Sequence, residues 1–277
     1  MKFYVTGDKH GHFDWILENE IVRDPDNAII ILGDAGLNYY LNSRDDRLKK
    51  YISDNSSCRW YIVRGNHEAR PLDAGWYGLD RDEDVGGVVL SQEEYPNIRF
   101  FLDYGEYHIN DYDVAVIGGA YSVDKWYRLY NAGVFMKTDW GYNNPKRTGW
   151  FPNEQLSEWE MNDAEKLFSG KIYDFVLSHT CPLSFQPTDL FLSGIDQNAV
   201  DSTMECWMDK LQCEMSWGVW LFGHYHKDRL ERPCVEMYYH DIEALDDIKA
   251  RWDRYLETGE LDWWLIKSPN FEGNKKS

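Results

Sequence analysis

The five cysteines of this chain (Cys58, Cys181, Cys206, Cys213, Cys234) are an odd number, and none forms a Cys-x-x-Cys pair. That excludes a zinc ribbon and makes reduced, mostly structural thiols the expectation. Only Cys206 and Cys213, seven apart, are close enough in sequence to suggest a bridge. No run approaches the ~18 apolar residues of a membrane span. The residues before Gly7-Asp8 are too few for the apolar core of a secretory leader, so a cytoplasmic protein without membrane attachment is expected. Basic residues are scarce: 29 Lys and Arg stand against 48 Asp and Glu, a net charge of −19. Phosphate contacts dominate nucleic-acid affinity, so this balance argues against a long duplex as partner. No stretch rich in Pro, Gly or Ser divides the chain and no repeat is visible, which points to a single domain over residues 1–277. Aromatic residues, by contrast, are plentiful: 13 Trp and 19 Tyr supply ample material for a packed core.

Five short apolar runs each end in a small or polar residue that leads into a polar group. They are residues 2–6 before Gly7-Asp8, 28–32 before Gly33-Asp34, 60–63 before Arg64-Gly65-Asn66-His67, 174–177 before Ser178-His179, and 219–222 before Gly223-His224. Continuous runs of this length, rich in β-branched and aromatic residues, read as strands buried on both faces. Helical patterns are expected over 13–20, over 43–54 with Ser43 as N-cap, and over 153–168, 199–211 and 244–256. Strands alternating with helices imply an α/β fold with a largely parallel core. Residues 97–102, 106–109 and 114–117 read as a meander, so the sheets are expected to be mixed. A late strand and helix over 235–268 and a frayed tail over 270–277 complete the chain.

In open α/β sheets ligands sit beyond the carboxyl ends of the strands. Each of the five strong strands here ends on Asp, Asn or His, giving Asp8, His10, Asp34, Asn66, His179, His224 and His226 as candidate metal ligands, with His67 beside them. Asp8 and His10 are two apart, as are His224 and His226, so in extended backbone each pair faces one side. Taken singly, each has an ordinary explanation as a turn or a satisfied structural residue. Their joint convergence on one sheet edge does not. Carboxylate, amide and imidazole without thiolate suit manganese, iron or zinc and are too rich in imidazole for calcium. Seven ligands exceed one tetrahedral ion, whereas two transition-metal ions sharing a carboxylate fit the count and the chemistry of phosphoryl transfer.

Asp8-x-His10, Gly33-Asp34, Gly65-Asn66-His67-Glu68, His179 and Gly223-His224-x-His226 resemble, in order, the five motifs of the calcineurin-like metallophosphoesterases. The resemblance spans residues 7–226. It implies a four-layer α/β/β/α sandwich of two mixed β-sheets flanked by helices. It further implies that Asp8, His10 and His226 hold one metal and Asn66, His179 and His224 the other, with Asp34 bridging. A metal-bridging hydroxide would attack phosphorus in line, and His67 would stabilise the transition state or protonate the leaving oxygen. Manganese is the first choice of metal. The protein Ser/Thr phosphatases of the superfamily carry Gly-Asp-x-x-Asp-Arg-Gly at the second motif, whereas this chain has Leu37 and Asn38 where that Asp and Arg would stand. The departure removes the protein-phosphatase reading and leaves the group that orients His67 open.

The segment 118–128 leaves a strand through a glycine pair and resembles a loop of some bacterial and phage members, which nominates Tyr121, Lys125 and Arg128 as substrate-binding residues. Lys9 and Arg70 could offset charge near an anionic substrate, Tyr39 and Tyr40 could stack a ring, and His12 could support the ligands. The tryptophans at 150, 159, 217, 220, 263 and 264 are expected in the core. The substrate implied is a phosphorylated small molecule, a nucleotide or a single-stranded nucleic acid. A nuclease or cyclic nucleotide phosphodiesterase is the enzymatic alternative, and a non-catalytic metal-binding scaffold is the alternative outside enzymes. Oligomeric state is not legible in the sequence.

Overall fold

A computed structural model of the chain describes residues 1–261. Its thirteen strands are β1 (Lys2–Thr6), β2 (Asn27–Leu32), β3 (Arg59–Val63), β4 (Gly78–Asp82), β5 (Gly87–Ser91), β6 (Ile98–Phe101), β7 (Tyr104–Ile109), β8 (Tyr112–Ile117), β9 (Ile172–Ser178), β10 (Ser216–Phe222), β11 (Arg229–Arg232), β12 (Val235–Met237) and β13 (Glu243–Ala244). They form two mixed sheets. One has the order β13-β1-β2-β3-β6-β5-β4 and the other β11-β12-β10-β9-β8-β7. The centre of each is parallel (β1 to β2 to β3 to β6, and β8 to β9 to β10 to β12), and antiparallel strands close the edges.

The helices are α1 (Ser43–Asn55), α2 (Pro71–Ala74), α3 (Lys125–Asn131), α4 (Pro145–Thr148), α5 (Glu158–Phe168), α6 (Thr203–Glu214) and α7 (Leu245–Thr258). Strand periodicity explains how four layers arise. In β2 every residue is buried: Ala28, Ile30 and Leu32 meet Val116, Phe175, Leu177 and Leu221 of the other sheet. Ile29 and Ile31 face the opposite way, toward Ile52 of α1 and Trp60. Across the molecule Val176, Trp220 and Phe222 point outward beneath Met161 and Phe168 of α5 and Met204 and Met208 of α6. Alternation by two thus puts one set of side chains between the sheets and the other under helices.

Several local expectations are corrected. Residues 13–20 do not form an α-helix; two 3-10 turns, Asp14–Leu17 and Glu20–Arg23, stand there, broken by Asn19, which caps the second. So short a segment cannot repay the cost of nucleating an α-helix. Asn42, not Ser43, caps α1. α5 begins at Glu158 rather than near 153, because Ser157 and Glu160 form a capping box. α6 begins at Thr203, after a 3-10 turn at Gln197–Ala199. The expected meander is split: β6 pairs parallel with β3 in the first sheet, while β7 and β8 form a hairpin in the second. Trp150 and Trp220 are buried as expected, but Trp159 is 70 % exposed on α5. Trp263, Trp264, the end of the expected C-terminal helix and the tail lie outside the described residues. All five cysteines are free. No described helix is long and apolar enough to cross a membrane.

Candidate active site

The parallel strands of both sheets deliver their carboxyl ends to one rim. β1 ends before Asp8, β2 before Asp34, β3 before Asn66, β9 before His179 and β10 before His224. The local backbone is unusual. His10, Asp34, His224 and His226 all adopt left-handed conformations, with φ of +46°, +50°, +69° and +52°. Non-glycine residues rarely do so without being held there, and such strain concentrates at functional sites. Two glycines make room. At Gly33 (φ +96°) a Cβ would overlap the His179 ring, and at Gly65 it would overlap the Asp34 carboxylate.

His179 stands at the centre of the site. Its Nδ1 lies 2.8 Å from the Leu32 carbonyl oxygen, which can only accept, so Nδ1 carries the proton. Nε2, a lone pair when the ring is neutral and a donor when it is protonated, faces the Asn66 Oδ1 at 2.8 Å and the Asp34 Oδ2 at 3.5 Å. The orientation of the Asn66 amide is set from behind. Its Nδ2 donates to Ser122 Oγ (2.8 Å), which donates to Glu154 Oε2 (2.6 Å), while the Ser122 backbone N–H donates to Glu154 Oε1 (3.1 Å). One imidazole nitrogen and two oxygens therefore converge on one point, an arrangement that either a second proton on Nε2 or a bound cation can satisfy.

The carboxylates tell the same story. Asp34 Oδ1 accepts the His67 backbone N–H (2.7 Å) and Asp8 Oδ2 accepts that of His224 (2.9 Å). Their second oxygens, Asp34 Oδ2 and Asp8 Oδ1, are buried and accept no hydrogen bond among the described residues. Their neighbours are imidazole nitrogens: His10 Nε2 is 3.9 Å from Asp34 Oδ2, and His226 Nε2 is 3.8 Å from Asp8 Oδ1. His10 and His226 bring their Nε2 atoms within 2.9 Å of each other. Ligand atoms of Asp8, His10 and His226 lie within 4.8 Å of one another, as do those of Asp8, Asp34 and His179. His224 is half-buried and lies edge-on to His179 (ring centroids 5.0 Å apart).

Protonation follows from this crowding. Burial opposes a charge on His179, but Asp34 and Asp8 overcome it and raise the pKa to about 9. Burial, with a smaller push from Asp34, raises Asp8 to about 7 against the pull of His179. Asp34 is held well below the usual carboxylate range, since His179 and His67 outweigh its burial. Burial lowers His10 to about 4 and takes His224 well below its usual value. The second proton this favours on His179 offsets the carboxylates, and a bound cation would displace it.

His67 lies beside this centre, 5.4 Å from His10 between ring centroids. Leu37 is buried in the core, and Asn38 turns away to accept from Lys49 (2.9 Å) and Tyr77 (3.0 Å). The segment 118–128 supplies a carboxylate instead. Asp124 lines the same clefts as His67, and its Oδ1 is buried with no hydrogen-bond partner among the described residues. Burial lowers the His67 pKa, Asp34 and Asp124 act to raise it, and Arg128 opposes them.

Of the residues expected on that segment, Tyr121 lines a cleft of about 470 Å³ and Arg128 a second of about 650 Å³. The Arg128 guanidinium is committed to Asp124 (2.6 Å), Tyr39 (2.7 Å) and the Gly149 carbonyl (2.8 Å). Lys125 lines neither cleft; its ammonium sits 4.3 Å from the Trp150 ring centroid. Lys9 is buried against Thr6 (2.7 Å) and the Tyr239 carbonyl (2.5 Å). Arg70 pairs with Glu160 and Asp103. Tyr39, Tyr40 and His12 line the larger cleft. Sequence reading missed Ser122, Asp124 and Glu154. The first two lie in a segment it singled out, but nothing in the sequence marks Glu154.

Those motifs in this geometry agree with the sequence profile of the calcineurin-like phosphoesterases, which matches residues 1–228. The chain belongs to the calcineurin-like phosphoesterase family. It is accordingly a phosphoester hydrolase by family, with potential metal-ligating groups in place. No curated protein sequence matches it. Among solved structures it is similar to the phosphopantetheinyl hydrolase PptH of Mycobacterium tuberculosis, at 10% identity and a TM-score of 0.40, over 95% of this chain and 94% of that one. The sulfate thiohydrolase SoxB of Thermus thermophilus, solved with glycerol, is similar at 12% identity and a TM-score of 0.32, over 84% of this chain and 43% of that one.

Proposed function

We propose that the protein is a dinuclear metal-dependent hydrolase of phosphate esters. In this reading Asp8, His10 and His226 hold one ion, Asn66, His179 and His224 the other, and Asp34 bridges them. The observation that carries it is the convergence of His179 Nε2 on an amide oxygen at 2.8 Å, an oxygen whose orientation is fixed from behind, beside two buried carboxylate oxygens that accept no hydrogen bond among the described residues. Two bound cations, manganese first and iron or zinc as alternatives, would acidify a water and neutralise the charge of a phosphate ester.

The chain's own groups do the rest. Asp34 fixes the His67 backbone through its Oδ1, so the imidazole stands at the meeting point of the two clefts. The imidazole there can donate its N–H to the leaving oxygen; burial lowers its pKa, which Asp34 and Asp124 only partly offset. The substrate is a phosphorylated small molecule, a nucleotide or a single-stranded nucleic acid. The net charge of −19 disfavours a duplex.

Manganese-reconstituted protein should carry about two ions per chain and hydrolyse an aryl phosphate ester. In Asp34→Asn both metal content and turnover should fall while thermal unfolding remains cooperative. Metal binding without turnover in the unsubstituted protein would support a scaffold instead, and unchanged turnover in Asp34→Asn would refute the bridge.

A further inference from the structure

Two clefts leave the same centre, and they differ in chemistry. His67, Asp124 and His226 line both. The cleft of about 470 Å³ is lined mostly by apolar side chains, Leu190, Phe191, Ile195 and Tyr225 among them, with Gln186, Gln197, Ser202 and Glu205 as polar members. No Lys or Arg is among its lining residues. Phe191 stacks on Tyr225 (centroids 6.4 Å apart, planes at 21°), and Tyr225 stands between His224 and His226 in the chain. The apolar wall therefore starts one residue from the candidate ligands. The cleft of about 650 Å³ is walled by His12, Tyr39, Tyr40, Arg44 and Arg128. There the Arg44 guanidinium lies 4.9 Å from the Tyr40 ring centroid, and Arg128 holds the Tyr39 hydroxyl.

A phosphorus atom held where the clefts meet has room for substituents in two directions. A monoester fills one arm and leaves the other to water. In the smaller arm that water would wet a mostly apolar surface, which an apolar substituent along Leu190, Phe191 and Ile195 would relieve. The larger arm offers ring faces and hydrogen-bond donors, the requirements of a polar, ring-bearing group.

We propose that the substrate is an unsymmetrical phosphodiester, with an alkyl chain along Leu190, Phe191 and Ile195 and a ring-bearing alcohol against Tyr39, Tyr40 and Arg44. This rests on the phosphoesterase reading of the same site. In the reaction the oxygen of water forms the new bond to phosphorus. The bond from phosphorus to the oxygen of the ring-bearing alcohol breaks, and its electron pair leaves on that oxygen. One proton of the water ends there, and an alkyl phosphate remains.

The test uses manganese-loaded full-length protein with methyl, butyl and hexyl p-nitrophenyl phosphate, and the monoester p-nitrophenyl phosphate beside them. A buried methylene is worth about fourfold, so three of them give a ceiling of about 60-fold, and kcat/KM for the butyl ester should exceed that for the methyl ester by at least about tenfold. The monoester should fall below the butyl ester. In the double variant Leu190→Asn, Ile195→Asn the butyl-to-methyl ratio should fall toward one. A flat chain-length series, a monoester preferred over the butyl ester, or an unchanged ratio in the double variant overturns this inference and leaves the phosphoesterase reading standing. No turnover of any of the four compounds overturns both.

Discussion

Ser122→Ala isolates the support beneath the candidate metal centre, because Ser122 itself offers no ligand. Its hydroxyl receives the Asn66 amide at 2.8 Å and gives its own proton to Glu154 at 2.6 Å. Removing it leaves a buried amide N–H and a buried carboxyl oxygen without partners. Each such loss costs about 1–3 kcal/mol, so a stability decrease of about 2–6 kcal/mol is expected. Asn66 would also be free to turn, presenting Nδ2 where Oδ1 now stands and substituting a donor for a ligand atom. Loss of a supporting contact of this kind typically weakens metal binding by about 10–100-fold. Calorimetric titration of the apoprotein with manganese, together with a thermal melt, measures both effects. Ser122→Thr, which keeps the hydroxyl, should restore the affinity. The reasoning fails if Ser122→Ala folds and binds manganese with unchanged stoichiometry and affinity.

Gly33→Ala should abolish metal binding, because the new methyl group would overlap the His179 ring at a backbone φ of +96°; elemental analysis of folded protein showing full metal content would contradict this. His67→Ala should slow an ester with a poor leaving group more than one with a good leaving group, and equal losses would remove His67 from proton donation. Glu205 is buried, and that burial raises its carboxyl to about 7 despite a hydrogen bond from Thr180. The folded protein thus keeps a proton that the unfolded chain loses near the usual value of 4.5, so this group's contribution to stability falls as pH rises from 4.5 to 7. Glu205→Gln should therefore gain on the parent across that window, by about 1–3 kcal/mol, and level off above it. Chemical denaturation of both proteins at pH 4.5, 6 and 8 decides the matter, and a pH-independent difference would show that the carboxyl is not held neutral.

Much of the fold was legible because the parallel strands are buried on both faces. Residues 28–32 and 219–222 leave no polar break, and that pattern holds regardless of their neighbours. The sites of the candidate ligands were legible for a related reason: a polar residue directly after such a run has no place but the rim. Less was visible where a local rule lost to a tertiary one. The hairpin of β4 and β5 escaped notice because β4 is mostly exposed and carries Asp80, Arg81 and Asp82 in place of an alternating pattern. The split of β6 from β7 depends on which sheet each strand joins, and nothing within residues 97–109 states that. Glu154 looked like an early residue of a helix, but it folds inward to Ser122, and the capping box three residues on starts α5 afresh. The apolar cleft was hidden too, because Leu190, Phe191, Ile195 and Val200 stand in a region of 3-10 turns without periodicity.

The left-handed backbone at His10, Asp34, His224 and His226 bears on how substitutions there must be read. An alanine at His224 inherits the same φ of +69° and much the same penalty, so the change it reports is the missing imidazole alone. A glycine deletes the same ring but also relaxes the turn, recovering about 1 kcal/mol. The difference between His224→Gly and His224→Ala in metal-free unfolding therefore measures what the scaffold spends to aim that side chain. A library selected for thermal stability without metal would drift toward glycine at these four positions, discarding the site one residue at a time.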